Sequence, residues 1–300
     1  MCAPSPGPHS VSERDSFSIP LLLFHGLYSS PQEFAFVGQE LRRRAVAHDA
    51  VVTPGYTLSN EAATPDWRRW REAALAAVQP HLAGGARVVL GGLCVGGVLA
   101  AALALEAPRN VAGLVLMSPT FAYDGWGLPR RRHLRRLAYW TGLDRFFSVA
   151  EREPFGIKNP KIRKWVIRDL EARASSAVGP ARLPLRALRE GERLMAEVRA
   201  RLSELRCPLL IMHAREDEIT SLESVQRLFA SLPQADKALA VLEDSYHMIT
   251  LDNARHEVAA LLARFVARLA AAQAPVPPLA TVLPFVGRAP ARAGAGRSLR

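Results

Sequence analysis

The sequence has few cysteines and no long apolar run. Its three cysteines, Cys2, Cys94 and Cys207, are odd in number and widely spaced, which argues against a disulfide framework and against a structural zinc site. The apolar stretches are shorter than the roughly 20 residues that span a bilayer, and the N-terminal residues lack the apolar core of a secretory signal. We therefore expect no transmembrane helix, no export and a reducing, cytoplasmic compartment.

Patterns that bind metals, phosphates or nucleic acids are also missing. The eight histidines do not show metal-ligand spacing. The glycines from Gly91 to Gly97 match neither the dinucleotide-binding pattern nor the P-loop pattern, and no nucleic-acid-binding module is recognisable. We predict no metal site, no cofactor and no nucleic-acid partner.

The positive charge is unevenly distributed along the chain. The formal net charge is +11, and residues 121–190 contain 16 Lys and Arg against 7 Asp and Glu. Residues 273–300 carry arginine as their only charged residue type, among many Pro, Ala and Gly, a composition that predicts a disordered basic tail. The basic central segment predicts transient contact with an anionic carrier or membrane surface, and an ordinary solvated face is the alternative.

Apolar runs of strand length alternate with helical patterns, which predicts an α/β fold with a parallel sheet covered by helices on both faces. We predict one domain over residues 20–272, preceded by a flexible segment at 1–19. The strand and helix rhythm breaks at about 121–190, which indicates a helical cap insertion. The sequence Ser30-Pro31-Gln32-Glu33 is typical of a helix start with a capping box. The predicted strands are Leu21–Phe24, Ala50–Thr53, Arg87–Gly91, Val111–Met117, Pro208–His213 and Ala238–Leu242.

A nucleophile elbow is the first chemical motif. Gly92-Leu93-Cys94-Val95-Gly96 has the G-x-S-x-G spacing with cysteine in the central place. The central residue of such an elbow lies on a strained strand-to-helix turn, so its neighbours two positions away must be very small. The helix N-terminus and a nearby imidazole favour the nucleophilic thiolate. Cys94 is the predicted nucleophile, and a buried cysteine in a packing turn is the alternative.

An acid and a histidine follow the elbow, which gives the chain order nucleophile, acid, histidine that accompanies the G-x-S-x-G motif. Asp217 lies just beyond the predicted strand Pro208–His213, with Glu216 and Glu218 as alternatives in the same loop. His247 lies in the loop after the next predicted strand. Because parallel strands end at one edge of a sheet, these loops should converge on Cys94. We predict a Cys94, His247, Asp217 triad.

The turn His25-Gly26-Leu27 follows the first predicted strand. The backbone N–H groups of Leu27 and Val95 are the predicted oxyanion hole, so His25 is expected to be structural or to touch substrate, not to act as a base. The cap supplies aromatic residues that we consider for an acyl pocket, with a role in the core as the alternative. These aromatic residues are Trp126, Tyr139, Trp140, Phe146 and Phe147, and we assign Trp126 and Trp140 to substrate binding.

Four sequence blocks together resemble the α/β-hydrolase superfamily, in its carboxylesterase and monoglyceride-lipase-like branch, often labelled serine aminopeptidase S33 or lysophospholipase. They are Leu21–Leu27, Gly92–Gly97, Cys207–Asp217 and Ser245–Asp252. The resemblance covers roughly residues 20–271 and implies an acyl-transfer enzyme in which cysteine replaces serine.

These observations support three hypotheses. The first is hydrolysis of a carboxylic ester or thioester with an apolar acyl group through a covalent acyl-enzyme. The second is transfer of an acyl group from a thioester donor to an alcohol or amine, because a thioester intermediate can acylate better acceptors than water. The third is a non-catalytic binding protein of the same fold.

Overall fold

The computed structural model describes residues 19–58, 65–173, 175–176 and 179–273. Residues 1–18 and 274–300, where most of the predicted flexible N-terminal segment and basic tail fall, lie outside the described residues. Ile19, at the end of the predicted flexible segment, is buried.

A six-stranded parallel sheet forms the centre of the fold. Its strands are β1 (Leu21–Phe24), β2 (His48–Ala50), β3 (Val88–Leu93), β4 (Val111–Met117), β9 (Leu209–Ala214) and β10 (Lys237–Leu242). They lie side by side in the order β10-β9-β4-β3-β1-β2. The predicted α/β class and parallel sheet are confirmed.

Helices cover both faces of this sheet. They are α1 (Ala35–Arg43), α2 (Trp67–Val78), α3 (Val95–Glu106), α6 (Leu185–Arg201), α7 (Leu222–Ser231) and α8 (Arg255–Gln273). Helices α2, α3 and α6 pack together on one face, whereas α1 and α8 pack together on the other.

Successive side chains of each strand alternate between the two faces of the sheet, so the apolar core is divided into two clusters. In β1, Leu22 and Phe24 belong to one buried cluster, whereas Leu21 and Leu23 belong to the other, as expected when successive side chains point to opposite sides of a sheet. Helix α3 is buried almost all round, since it lies between the sheet and two further helices. The core therefore holds the carboxyl ends of the central strands in fixed positions.

The second strand differs from its prediction. It spans His48–Ala50, not Ala50–Thr53, and pairs with β1 alone, with Leu21 opposite His48. The chain leaves the sheet after Val51 because Thr53 begins a turn, in which its carbonyl accepts from the N–H groups of Tyr56 and Thr57.

The segment between β4 and α6 does not join the central sheet and spans most of the range in which we predicted a cap insertion. We refer to it as the cap. It contains short 3-10 turns, α4 (Arg135–Thr141) and α5 (Pro160–Arg173). It also contains two small antiparallel pairs that the sequence analysis did not predict: β5 (Ser148–Ala150) with β8 (Arg182–Pro184), and β6 (Ser175–Ser176) with β7 (Gly179–Pro180). Helix α6 begins inside the predicted cap range but packs on α2 and α3.

Candidate active site

Cys94 lies on a strained turn between β3 and α3. Its φ of 57° and ψ of −126° are unusual for a residue with a Cβ atom. A Cβ at Gly92 would lie 2.3 Å from the backbone of Gly96, and a Cβ at Gly96 would lie 2.2 Å from the carbonyl oxygens of Phe24 and His25. The two glycines therefore permit the close approach of backbones that presents Cys94 at the end of the sheet.

His247 and Asp217 form a buried hydrogen-bonded pair. His247 Nδ1 donates to Asp217 Oδ2 at 2.7 Å, while Asp217 Oδ1 accepts from the N–H groups of Ile219 and Thr220 at 2.8 and 2.9 Å. Of the three acids in this loop, Asp217 makes the bond to the imidazole, whereas Glu216 is exposed and binds Lys158. Asp217 thus has both oxygens engaged and one orientation.

The loop that carries His247 is anchored at several points. Ser118, just after β4, donates its hydroxyl to the carbonyl of His247 at 2.7 Å. Asp252 accepts from the N–H groups of Tyr246, Lys158 and Asn159 at 2.7 to 2.9 Å. The loop is therefore held by the sheet on one side and by the cap on the other.

Opposite charges stabilise the ionised forms of this pair. Burial opposes a charge on His247, but the Asp217 carboxylate and then Cys94 raise the imidazole pKa well above its ordinary value. Burial likewise opposes a charge on Asp217, yet His247 and the surrounding hydrogen bonds hold its pKa below the usual range. The Asp217 carboxylate therefore stabilises the imidazolium that forms when His247 accepts a proton.

The imidazole nitrogen on the far side from Asp217 is available to the nucleophile. His247 Nε2 is buried and has no hydrogen-bond partner among the described residues. Cys94 influences the charge of this ring, and both side chains line one cavity. The thiol itself lies 3.3 Å from the hydroxyl of Thr120. The structure therefore brings the thiol and the imidazole together at one cavity.

The turn His25-Gly26-Leu27 is fixed from behind by polar residues. Tyr56 donates its hydroxyl to the carbonyl of His25 at 2.9 Å. The His25 ring donates from Nδ1 to the carbonyl of Gly26 at 2.8 Å and accepts at Nε2 from Thr57 at 2.7 Å. Burial lowers the pKa of His25 to about 4, so the ring is neutral and structural near neutral pH.

The two predicted oxyanion donors lie on either side of the nucleophile. Leu27 follows β1, and Val95 is the first residue of α3, so its N–H is one of the groups that a helix leaves without an intrahelical acceptor. Both residues line the same cavity as Cys94. Their N–H groups therefore remain the predicted donors to an oxyanion formed in this cavity.

Glu33 has a different role from the predicted capping box. Ser30 does cap, accepting from the N–H of Gln32 at 3.3 Å. The Glu33 carboxyl, however, turns into the site, where Oε2 accepts from the N–H of Gly26 at 2.8 Å. Three further acids, Glu151, Glu153 and Glu218, also line the cavity, and Glu218 accepts from the N–H of His247 at 3.1 Å.

The cavity in front of Cys94 has a volume of about 740 Å³ and a predominantly apolar lining, within the size range of small-molecule sites. The cap supplies most of its wall. The lining includes Leu128, Leu134, Ala138, Phe147, Val149, Leu183, Leu185 and Leu188, with Arg130, Arg131, Arg132, Arg135 and Arg152 among the charged residues.

The residues that we predicted to bind substrate do not line this cavity within the described residues. Trp126 and Trp140 are 60% and 84% exposed, and neither they nor His25 belong to the cavity lining within the described residues. Trp126 instead donates from Nε1 to the carbonyl of Glu216 at 3.0 Å. Of the five cap aromatics considered, Phe147 alone lines the cavity.

Several residues around the candidate triad were not predicted from the sequence. Ser118 and Thr120 have no local motif that marks them, because His247 and Cys94, their partners in the site, are distant in sequence. Glu33 was predicted only as part of a capping box, and its bond to Gly26 depends on how the turn folds back. For His213 a signal existed: it lies four residues before Asp217, and its Nδ1 is 3.7 Å from the carboxylate. The short sequence separation from Asp217 therefore points to His213, whereas the other residues can be identified only from the fold.

None of the helices in the described ranges is long and apolar enough to cross a membrane.

Solved structures with the same fold include lipases and esterases. One is a monoacylglycerol lipase from Paleococcus ferrophilus, with 20% identity and a TM-score of 0.68, covering 83% of this chain and 94% of that one. Another belongs to a study of LipS and LipT, metagenome-derived lipolytic enzymes, with 21% identity and a TM-score of 0.66 over 83% of this chain and 94% of that one. At these identities the similarity establishes the α/β-hydrolase fold.

Sequence comparison gives the family. A thermostable monoacylglycerol lipase from Bacillus sp. (strain H-257) is 33% identical over 69 residues, which cover 23% of this chain and 28% of the relative. The match thus spans less than a third of that relative's length. The family model for serine aminopeptidase S33 matches residues 15–254, which include the elbow, the acid and the histidine. The chain belongs to the serine aminopeptidase S33 family of α/β-fold hydrolases.

Proposed function

We propose that this protein hydrolyses carboxylic esters or thioesters with an apolar acyl group, using Cys94 as nucleophile, His247 as acid and base, and Asp217 to orient His247. The observation that carries the proposal is the buried His247 and Asp217 pair, whose free Nε2 shares an apolar cavity with a strained Cys94. Family membership supports hydrolysis in general.

The proposed cycle has two acyl-transfer steps. Cys94 passes its proton to His247 Nε2, and the sulfur attacks the ester carbonyl carbon. The resulting oxyanion accepts from the N–H groups of Leu27 and Val95. Collapse of this intermediate expels the alcohol, which takes the proton from His247, and leaves a thioester on Cys94. Water, deprotonated by His247, then releases the carboxylic acid and the free thiol.

The lining of the cavity supports an apolar acyl group. Aliphatic side chains of the cap form much of the wall, and burying apolar surface stabilises a bound acyl chain by about 25 cal/mol per Å². The relatives named above are lipases and esterases, which favours hydrolysis over the alternative of acyl transfer to an alcohol or amine. A thiol nucleophile must also remain reduced, which supports a reducing, cytoplasmic compartment.

The cap also suggests how the protein meets its substrate. Large exposed apolar residues are frequent between residues 134 and 149, where Arg135, Arg136 and Arg145 lie among them. This set, the cap patch, comprises Leu134, Leu137, Trp140, Leu143, Phe146, Phe147 and Val149. Phe147 and Leu134 also line the cavity. We infer that the cap patch makes transient contact with an anionic surface that presents acyl esters.

The experiment that tests the function follows acylation by intact mass. Wild type, Cys94→Ser and Cys94→Ala are incubated with p-nitrophenyl butyrate, and p-nitrophenol release is followed in parallel. Wild type should gain one acyl group during turnover, and Cys94→Ala should lose adduct and activity by about 10³-fold or more. Cys94→Ser should acylate more slowly, because its hydroxyl depends more on His247.

Cys207 is the matched control. Burial raises the pKa of its thiol to about 11, so Cys207→Ala should keep the adduct and the turnover. An adduct that survives in Cys94→Ala would refute the assignment of the nucleophile. A wild-type adduct that water clears slowly but an added alcohol clears quickly would replace hydrolysis by acyl transfer.

A further inference from the structure

Glu33 is a buried carboxyl group at the oxyanion side of the site. Its residue is 1% exposed and lines the cavity with Cys94. A Cβ at Gly26 would lie 3.1 Å from Glu33 Oε1 and 3.6 Å from the Cβ of Cys94. Gly26 thus lies between the Glu33 carboxyl group and Cys94.

The carboxyl group also holds the turn that carries Leu27. Its Oε2 accepts from the N–H of Gly26 at 2.8 Å, and the Ser29 side chain hydrogen-bonds to the same carboxyl. The Gly26 N–H therefore has an acceptor within the protein, one residue before Leu27. Tyr56 and Thr57 hold only the His25 part of this turn.

We propose that Glu33 is a positioning residue for the oxyanion hole, that it acts by accepting from Gly26 N–H, and that it does so as the neutral carboxylic acid. The proposal rests on the proposed function, because it concerns the oxyanion of that reaction. A neutral acid can hold the turn without placing a negative charge beside the developing oxyanion, whereas a carboxylate would repel it.

The surroundings of Glu33 favour the neutral form near pH 6. Burial raises its pKa to about 7, against the opposing effects of the Ser29 and Gly26 hydrogen bonds and of His247. The other titratable groups of the site are Cys94, Tyr56, Tyr123 and the His247 and Asp217 pair, with Glu151, Glu153 and Glu218 in the cavity wall. Burial also raises the pKa of Glu218 to about 7, so an experiment must separate the two acids.

The test compares Glu33→Gln, Glu33→Ala and Glu218→Gln in the pH dependence of kcat/KM for p-nitrophenyl butyrate. Glutamine keeps the acceptor but cannot ionise. The kcat/KM of Glu33→Gln at pH 6 should therefore be within about threefold of the wild-type value, and it should fall less than the wild-type value as pH rises through 7. Glu33→Ala removes the acceptor and should lower kcat by about 10- to 100-fold at every pH, with KM little changed. Glu218→Gln should retain the wild-type loss above pH 7.

A second readout does not depend on turnover. A carboxyl group whose pKa is raised on folding stabilises the fold fully below about 4.5 and loses that contribution as pH rises through about 7. The Tm of Glu33→Gln minus that of wild type should therefore increase between pH 5 and 8.

Three outcomes would overturn the role of Glu33. They are an unchanged high-pH loss in Glu33→Gln, equal kcat losses for Gln and Ala, and a Tm difference that does not change with pH. The two kinetic outcomes can be observed only if the wild type hydrolyses the ester, whereas the Tm difference can be measured without turnover. A folded wild type without turnover on any ester would instead refute the proposed function, and the catalytic role of Glu33 with it.

Discussion

The substitution Asp217→Asn tests the triad most directly, because the geometry dictates how the new amide must orient. Asp217 Oδ1 accepts from two backbone N–H groups, those of Ile219 and Thr220, at 2.8 and 2.9 Å. An asparagine must place its carbonyl oxygen at this position, since an NH₂ group there would face two donors. Its NH₂ group then occupies the position of Oδ2, 2.7 Å from His247 Nδ1.

This orientation reverses the hydrogen bond to the imidazole. His247 must accept at Nδ1 and carry its proton on Nε2, so the nitrogen that faces the nucleophile can no longer take a proton from Cys94. The loss of the Asp217 charge also removes the largest influence that raises the pKa of His247. A wrong tautomer in a triad costs about 10⁴-fold in kcat, which corresponds to about 5 kcal/mol of transition-state stabilisation.

The assay is steady-state hydrolysis of p-nitrophenyl butyrate at pH 7, with circular dichroism to verify folding. Glu216→Gln is the matched control, because Glu216 is the exposed neighbour in the same loop, and it should keep wild-type kcat within about twofold. A folded Asp217→Asn enzyme with more than a tenth of wild-type kcat would refute the role assigned to Asp217. An equally inactive Glu216→Gln would show that the loop, not the carboxylate, matters.

Two further predictions concern the elbow and the cap. Gly96→Ala should lower the free energy of unfolding by more than about 3 kcal/mol in urea titration, because its Cβ would lie 2.2 Å from carbonyl oxygens at the end of β1. Gly191 lies in helix α6, where an added Cβ would make ordinary contacts of 3.4 Å or more. Gly191→Ala should therefore leave the free energy of unfolding unchanged or raise it by up to roughly 1 kcal/mol. Similar losses of stability in Gly96→Ala and Gly191→Ala would contradict the steric argument. Wild type should sediment with phosphatidylglycerol vesicles more than with phosphatidylcholine vesicles, and less so at high salt. Trp140→Ser should weaken this binding more than Trp165→Ser, an exposed tryptophan outside the cap patch, and equal effects would argue against the cap patch.

Much of the fold followed from local patterns. The strand Val111–Met117 was predicted at its observed bounds, because an apolar run between turn signals is a property of neighbouring residues. The edge strand β2 was predicted two to three residues too late. Its apolar residues Val51 and Val52 suggested the strand, but pairing with β1 stops where the turn at Thr53 begins.

The cap shows the limit of aromatic composition as evidence. The sequence places Trp140 and Phe147 only seven residues apart, and both are plausible pocket residues on composition. In the fold Trp140 is 84% exposed, whereas Phe147 lines the cavity. Which of them faces the cavity depends on the pairing of β5 with β8, a contact between segments more than thirty residues apart.

The sequence by itself determined the strained turn at Cys94, because that turn depends on glycines within two residues of Cys94 and on the strand and helix that flank it. It also determined the order of Cys94, Asp217 and His247 at the ends of parallel strands. The tertiary structure alone decided which acid of the Asp217 loop meets His247, and that Glu33 turns from its helix start toward Gly26. Those outcomes depend on burial and on hydrogen bonds between distant segments, which are fixed only when the sheet and the cap have packed.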